Sequence, residues 1–193
     1  MQIEEHPFPL FLPSNAKLLM LGSFPPKKEK WSMDFYYPNI QNDMWRIFGL
    51  IFFNNKNYFL NQTSTAFDKE KIIFFLTNKG IALGDVGQKI IRLKDNASDK
   101  FLSIIEPIKI DQVLLQLKQC TTIVSTGEKS LEKLFNILNI NKKLIKPGNH
   151  IIHYIYNKNL NIYRMPSSSR AYPLNLEKKS IIYKQMFKEL NML

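Results

Sequence analysis

Lys17-Leu18-Leu19-Met20-Leu21-Gly22 is an unbroken apolar run closed by a glycine, and Ser23-Phe24-Pro25-Pro26 follows at once. A strand with one wet face alternates apolar and polar residues. This run does not alternate, so it reads as a strand buried on both faces, the pattern of a parallel sheet covered by helices on either side. The glycine and prolines then form a stiff turn at the strand's carboxyl end, where ligands of open parallel sheets bind.

Working outward from that strand, helices and strands alternate. Residues 42–53 place Met44, Trp45, Ile47, Phe48, Ile51 and Phe52 at mixed three- and four-residue spacing, with Asn42 or Asp43 as a cap, and predict a helix. Residues 68–78 repeat the spacing and stop at Lys79-Gly80. Ile81-Ala82-Leu83 is then a short buried strand that runs into a Gly84-Asp85-Val86-Gly87 turn. Further on the spacing predicts helix over 111–119, strand over 121–125, helix over 127–138, strand over 160–165 and a closing helix over 176–190. Residues 150–156 alternate and can pair with 160–165 through Asn157-Lys158-Asn159.

The expected fold is therefore α/β: three layers, α/β/α, around a central, mainly parallel four-stranded sheet with an extra antiparallel edge strand. The whole chain, 1–193, is expected to be a single domain, long enough to bury a core without metal or disulfide support. Residues 92–106 are polar and poorly periodic, and read as an ordered excursion or a loop.

Composition narrows the function. Cys120 is the sole cysteine, which excludes an internal disulfide framework and any cysteine-ligated cluster or zinc site. His6, His150 and His153 are scattered, with no acidic residue at ligand spacing beside them, so neither a metal nor another cofactor is expected. The acidic, proline-bearing start, Glu4-Glu5-His6-Pro7, lacks the features of a secretory signal, and runs such as Ile72-Ile73-Phe74-Phe75-Leu76 are too short to cross a bilayer. A cytoplasmic monomer without membrane contact is expected. The net charge of +11, from 27 Lys and Arg against 16 Asp and Glu, favours an anionic partner, nucleic acid before membrane. The Lys, Asn, Ile and Phe bias of an AT-rich genome accounts for such a charge equally well.

Segments 22–26, 84–87, 125–127 and 166–170 all fall at carboxyl ends of predicted strands, and Phe35-Tyr36-Tyr37-Pro38-Asn39 is poised over the same crevice. Ser125-Thr126-Gly127-Glu128-Lys129-Ser130 lacks the glycine spacing of a phosphate-binding loop and is read as a strand-to-helix turn. Leu21-Gly22-Ser23-Phe24-Pro25-Pro26, Tyr36-Tyr37 followed by Asn42 and Trp45, Gly80-Ile81-Ala82-Leu83-Gly84-Asp85-Val86, and Met165-Pro166-Ser167-Ser168-Ser169 together resemble the uracil-DNA glycosylase superfamily. The resemblance is greatest to its hypoxanthine (deoxyinosine) branch, in the family's order over residues 16–190.

The resemblance implies hydrolysis of the N-glycosidic bond of a damaged base in DNA. Cleavage builds positive charge on the sugar and negative charge on the departing base. Water attacking a cationic sugar needs positioning more than deprotonation, so Asn42, whose carboxamide can orient water, is the expected catalytic residue; a plain helix cap is the bland alternative. Gly22, Ser23 and Phe24 of the first turn are expected to bind the base, with backbone amides contributing. Tyr37 supplies the stacking face, with Tyr36 or Phe24 as competitor. Asp85 reads the base edge, biases a water or caps its turn. Ser167, Ser168, Ser169 and Arg170 correspond to the loop that enters the minor groove and fills the gap left by the flipped nucleotide. Lys27, Lys28, Lys178 and Lys179 flank the two motifs as candidate phosphate contacts.

Phe24 stands where many superfamily members carry Asn or Asp, and Met165 where some carry His, so mechanisms relying on those groups are excluded. The hypoxanthine branch shares the apolar first motif. Pro26 replaces the usual small residue, which bears on the pocket's width. No lysine is placed to form a Schiff base, so strand cleavage is not expected. A chemically silent nucleic-acid-binding module and a small nucleotide-processing α/β protein are the rival readings.

Overall fold

The computed structural model describes residues 2–93 and 101–193. Its main sheet has five strands in the order β3-β2-β6-β8-β7, namely β2 (Leu18–Gly22), β3 (Ile81–Asp85), β6 (Thr122–Ser125), β7 (His150–Ile155) and β8 (Lys158–Arg164). β3, β2, β6 and β8 are mutually parallel, and β7 pairs antiparallel with β8 at the edge. This is the expected sheet.

The two-sided burial of β2 is visible residue by residue. Leu18 and Met20 enter one apolar core while Leu19 and Leu21 enter another, and all four are 0% exposed. Ile81 and Leu83 against Ala82, and Tyr163 against Leu160 and Ile162, divide the same way. The first core is closed by α1 (Met44–Phe53), α2 (Lys69–Lys79) and α5 (Leu176–Glu189), through Trp45, Phe48, Phe75 and Phe187. The second is closed by α3 (Ile110–Gln116) and α4 (Glu128–Ile137), through Val113, Leu131 and Leu134. At about 1.5 to 3 kcal/mol for each fully buried large aliphatic side chain, the middle strand is where the chain gains most from this layering.

Local signals set the helix ends. Asp68 Oδ1 accepts from the Lys71 N–H at 3.0 Å at the start of α2, and Gly80 ends that helix in the left-handed region at φ 67°. A side chain at Gly80 would also meet the Asn15 carbonyl oxygen at 2.6 Å. Asn175 caps α5 by accepting from Lys178 N at 2.9 Å. Helix α1 begins at Met44, two residues inside the expected range, because Asn42 Oδ1 turns back to accept the Met44 N–H at 2.9 Å.

A second sheet stands where the sequence suggested turn and loop. β1 (Ile3–Glu5), β4 (Gly87–Arg92) and β5 (Leu102–Pro107) form a three-stranded antiparallel sheet in the order β1-β4-β5. The expected turn at 84–87 is replaced by a strand running on to Asp85, with only Val86 between it and β4. Of the excursion at 92–106, residues 94–100 lie outside the described residues and 102–107 are strand. Among the described residues no helix is long and apolar enough to cross a membrane.

Buried phenols couple this packing to pH. Tyr183 is fully buried and donates to the Pro166 carbonyl at 2.9 Å, and burial holds its ionisation well above the ordinary range. Burial first, then the nearby Asp85 charge, does the same for Tyr36. Burial and the bond to Glu189 push Tyr163 up to about 12. Each group ionises more readily in the unfolded chain, so its stabilisation is complete below the ordinary value of about 10 and is lost as pH rises through the folded value. Urea midpoints should therefore hold from neutrality to about pH 9 and fall steeply by about pH 11. A midpoint unchanged at the higher pH contradicts this account.

Candidate functional site

The carboxyl ends of the parallel strands open into one cleft of about 330 Å³. Gly22, Ser23, Phe24, Tyr37, Asn42, Asp85, Ser167, Ser168, Ser169 and Arg170 all line it. Segments far apart in the chain thus converge on a single concavity, as the strand register requires. Gly22 lies opposite Asp85 in the β2–β3 pairing, and Ser125 lies opposite both Leu21 and Arg164.

Gly22 is needed for its lack of a side chain. A Cβ there would fall 2.3 Å from Asp85 Oδ1 and 3.7 Å from the Tyr37 hydroxyl. The carboxylate therefore lies in the floor of the cleft, in space that any other residue at position 22 would occupy. Asp85 is 6% exposed, and its Oδ2 meets His6 Nε2 at 2.9 Å. His6 has no acidic residue at ligand spacing in sequence; the fold supplies a carboxylate from 79 residues away. Among the described residues no three His, Cys, Asp or Glu side chains converge.

Adjacent Tyr36 and Tyr37 part company. Tyr37 adopts a left-handed backbone at φ 52°, rare for an aromatic residue and a local strain. The twist sends Tyr36 into the core, 2% exposed, with its hydroxyl donating to Pro9 O at 3.2 Å, and leaves Tyr37 on the cleft wall. Thr126 Oγ1 donates to Leu21 O at 3.3 Å, so the 3.0 Å contact between Tyr37 Oη and Thr126 Oγ1 has the tyrosine donating. Tyr37 also sets its ring edge-on to Trp45, with centroids 5.8 Å apart. Phe24 lines the cleft as well, its ring 5.5 Å from the Arg92 guanidinium.

Asn42 precedes α1 with both ends of its amide fixed. Its N–H donates to Asn39 O at 2.8 Å and its carbonyl accepts from Arg46 Nη1 at 3.2 Å. Because Met44 N–H can only donate, the side-chain atom it meets is the oxygen, and the orientation of the carboxamide is settled. One lone pair of Oδ1 and the amide Nδ2 remain to act on a water.

The 167–170 loop is docked onto α1. Ser168 O accepts from Asp43 N at 2.9 Å, and Ser168 itself is 3% exposed. Ser167 and Ser169 hydroxyls accept backbone N–H groups two residues on, while Ser169 and Arg170 are exposed. Beneath the loop Lys179, 0% exposed, donates to Asp43 Oδ2 at 2.9 Å and to Ser169 O at 2.7 Å. Lys179 is thus corrected from a candidate phosphate contact to an internal tie, for a fully buried ammonium cannot reach a backbone outside. Arg170 reaches Asp43 Oδ1 at 3.3 Å with its side chain 53% exposed. Arg46, nearby, has its ionisation lowered by burial and by the Arg170 charge.

Two site residues escaped sequence reading: Arg92, which lines the cleft from β4, and Asp43, the shared anchor of Lys179 and Arg170. Sequence placed Asp43 only as an alternative to Asn42 for the helix cap.

Comparison of the sequence with known protein families finds no matching family, and comparison with curated proteins finds no matching sequence. The fold does have a solved counterpart. The solution NMR structure of a "putative Uracil DNA glycosylase" from Methanosarcina acetivorans superposes with a TM-score of 0.65 at 21% identity, covering 98% of this chain and 99% of that one. The likeness establishes a fold shared with that protein over nearly the whole chain.

Two substitutions probe the geometry. Gly22→Ala should destabilise by about 1 to 3 kcal/mol in urea unfolding, since the carboxylate it displaces is held by His6. Lys179→Met should cost about 3 kcal/mol, the low end for an opened buried pair, because Arg170 still faces Asp43. Wild-type stability in either variant contradicts the packing described.

Proposed function

We propose that the chain is a monofunctional DNA glycosylase, acting as a cytoplasmic monomer that initiates base excision repair. It hydrolyses the N-glycosidic bond of deaminated bases, hypoxanthine and uracil foremost and xanthine with them, within the hypoxanthine branch of the uracil-DNA glycosylase superfamily. The observation that carries this reading is the convergence of the predicted site residues, from Gly22 to Arg170, on one cleft at the sheet's carboxyl edge. The whole-length likeness in fold supports it.

In this reading the target nucleotide leaves the duplex and its base enters between Phe24 and Tyr37, which offer π-faces on the cleft walls. Asp85 meets the base edge from the floor. Asn42 holds the attacking water with its remaining lone pair and amide protons, while the sugar gains cationic character and the base leaves as an anion. Ser167, Ser169 and Arg170, the reachable part of their loop, contact the DNA backbone and the vacated stack; Ser168 contributes by shaping the loop from within. The surplus of basic residues offsets unstacking with phosphate contacts.

Duplexes with a single hypoxanthine, uracil or xanthine, incubated with the protein and then treated with alkali, should break at the lesion, and intact strands from every lesion reject the proposal. Asn42→Asp retains an oxygen to accept the Met44 N–H, so stability should stay near wild type. Single-turnover excision should fall about a hundredfold or more, the scale of a lost positioning contact, with duplex affinity little changed. Excision at the wild-type rate assigns Asn42 to capping alone.

A further inference from the structure

His6 is the buried histidine that the proposed chemistry leaves without a part. Its side chain is 3% exposed and boxed by rings: it stacks on Tyr36 at 5.8 Å and 29°, and meets Phe24 and Phe8 edge-on at 5.3 Å and 5.9 Å. Its backbone N–H donates to Gln88 O at 2.8 Å, which fixes the residue to the start of β4. Gln88 Nε2 in turn donates to the Asp85 carbonyl at 3.1 Å. Main chain and side chain of Asp85 are thus both held from the small sheet.

The two oxygens of Asp85 differ in kind. Oδ2 faces Nε2 of His6 at 2.9 Å, whereas among the described residues no donor is bonded to Oδ1, which lies beside Gly22 in the cleft floor. The proton between the two residues sits on the line from Nε2 to Oδ2, carried by the ring or by the acid. In both arrangements Oδ1 offers lone pairs only. Without the imidazole the carboxyl group is free to turn about its Cβ–Cγ bond, and Oδ1 loses its fixed direction.

We infer that His6 is a specificity-determining positioning residue: it holds Asp85 so that Oδ1 is aimed into the cleft as an acceptor, and the cleft admits a base presenting an N–H to the floor and refuses one presenting a lone pair. The inference rests on the proposed role of Asp85 at the base edge. Hypoxanthine carries N1–H and uracil N3–H, the groups deamination creates; adenine N1 and cytosine N3 are lone pairs. A site built for one polarity rejects the other strongly, because the buried acceptor would face a second acceptor.

The test is a titration of free hypoxanthine and free adenine into isotope-labelled protein, followed by NMR, which needs no catalysis. Wild type should bind hypoxanthine at least tenfold more tightly than adenine. His6→Ala should cut that ratio about tenfold, and His6→Gln, whose amide can donate to Oδ2, should recover part of it. Asp85→Ala should abolish the preference, because it removes the acceptor from the cleft floor. Should His6→Ala fail to fold, the loss of preference in Asp85→Ala and the movement of the His6 ring nitrogen signals on adding hypoxanthine carry the test. An unbiased wild type, an unchanged ratio in His6→Ala, or an Asp85→Ala protein that still prefers hypoxanthine overturns the inference. Excision from lesion duplexes, run in parallel, separates the two ideas: no abasic product sinks the glycosylase reading, while the binding ratio judges His6 by itself.

Discussion

Where β2 and β3 end side by side, a residue without a side chain faces a buried carboxylate, and the cleft is built on that pairing. Gly22 leaves open the volume that Asp85 Oδ1 occupies, and the same gap brings the Tyr37 hydroxyl close. Parallel pairing forces the coincidence: in-register strands from Leu18↔Ile81 onward must present Gly22 and Asp85 together at the rim. The hydroxyl relay from Tyr37 through Thr126 to the Leu21 carbonyl then ties the aromatic wall to the same strand end. Position 22 is therefore constrained by the site as much as by the sheet.

The opposite wall is set by a charge pair that stability alone would not favour. Burying Lys179 and Asp43 costs several kcal/mol of desolvation per ion, and apolar residues of similar volume often serve a core as well or better. What apolar residues cannot supply is direction. Lys179 donates to Asp43 on one side and to the Ser169 carbonyl on the other, while Asp43 N–H holds the Ser168 carbonyl. Helix α5, the start of α1 and the 167–170 loop are thereby fixed to one another, one residue from Asn42. Charge is kept at this point because it sets the spacing between the Asn42 carboxamide and the 167–170 loop.

Those two constraints explain what sequence could and could not reveal. The central sheet was legible because its strands fail to alternate, and the cleft's position followed from the sheet type. Phe24, Tyr37, Asn42, Asp85 and the 167–170 loop were legible through motifs at strand ends. The small sheet was hidden: β1 has three residues with only the middle one partly buried, and β4 is bulged between Gly87 and Ile90, which breaks the period of two. Lys179 was hidden because a lysine in a helix reads as solvent-facing, and nothing local marks the two acceptors waiting across the fold. Tyr36 and Tyr37 could not be told apart, since the left-handed turn at Tyr37 that separates them is imposed by packing, without a glycine to signal it.

The hidden sheet matters because it braces the half of the cleft formed by Phe24 and Asp85. Arg92, at the end of β4, donates from Nε to Glu4 at 2.9 and 3.0 Å, from Nη2 to the Pro25 carbonyl at 2.7 Å, and lays its guanidinium over Phe24. His6, just beyond β1, holds Asp85 from the same sheet. Every group that would touch a base is thus backed by a second, mostly buried contact. Across the cleft, Ser169 and Arg170 stand exposed on a loop held by Lys179 from beneath and by Asp43 at its side. Discrimination between bases differing by one proton needs fixed acceptors in a dry setting, whereas a duplex of variable sequence needs side chains free to adjust. In the proposed reading, the unequal bracing of the two walls divides those tasks: selection on the rigid floor between the sheets, and accommodation of the strand at the loop.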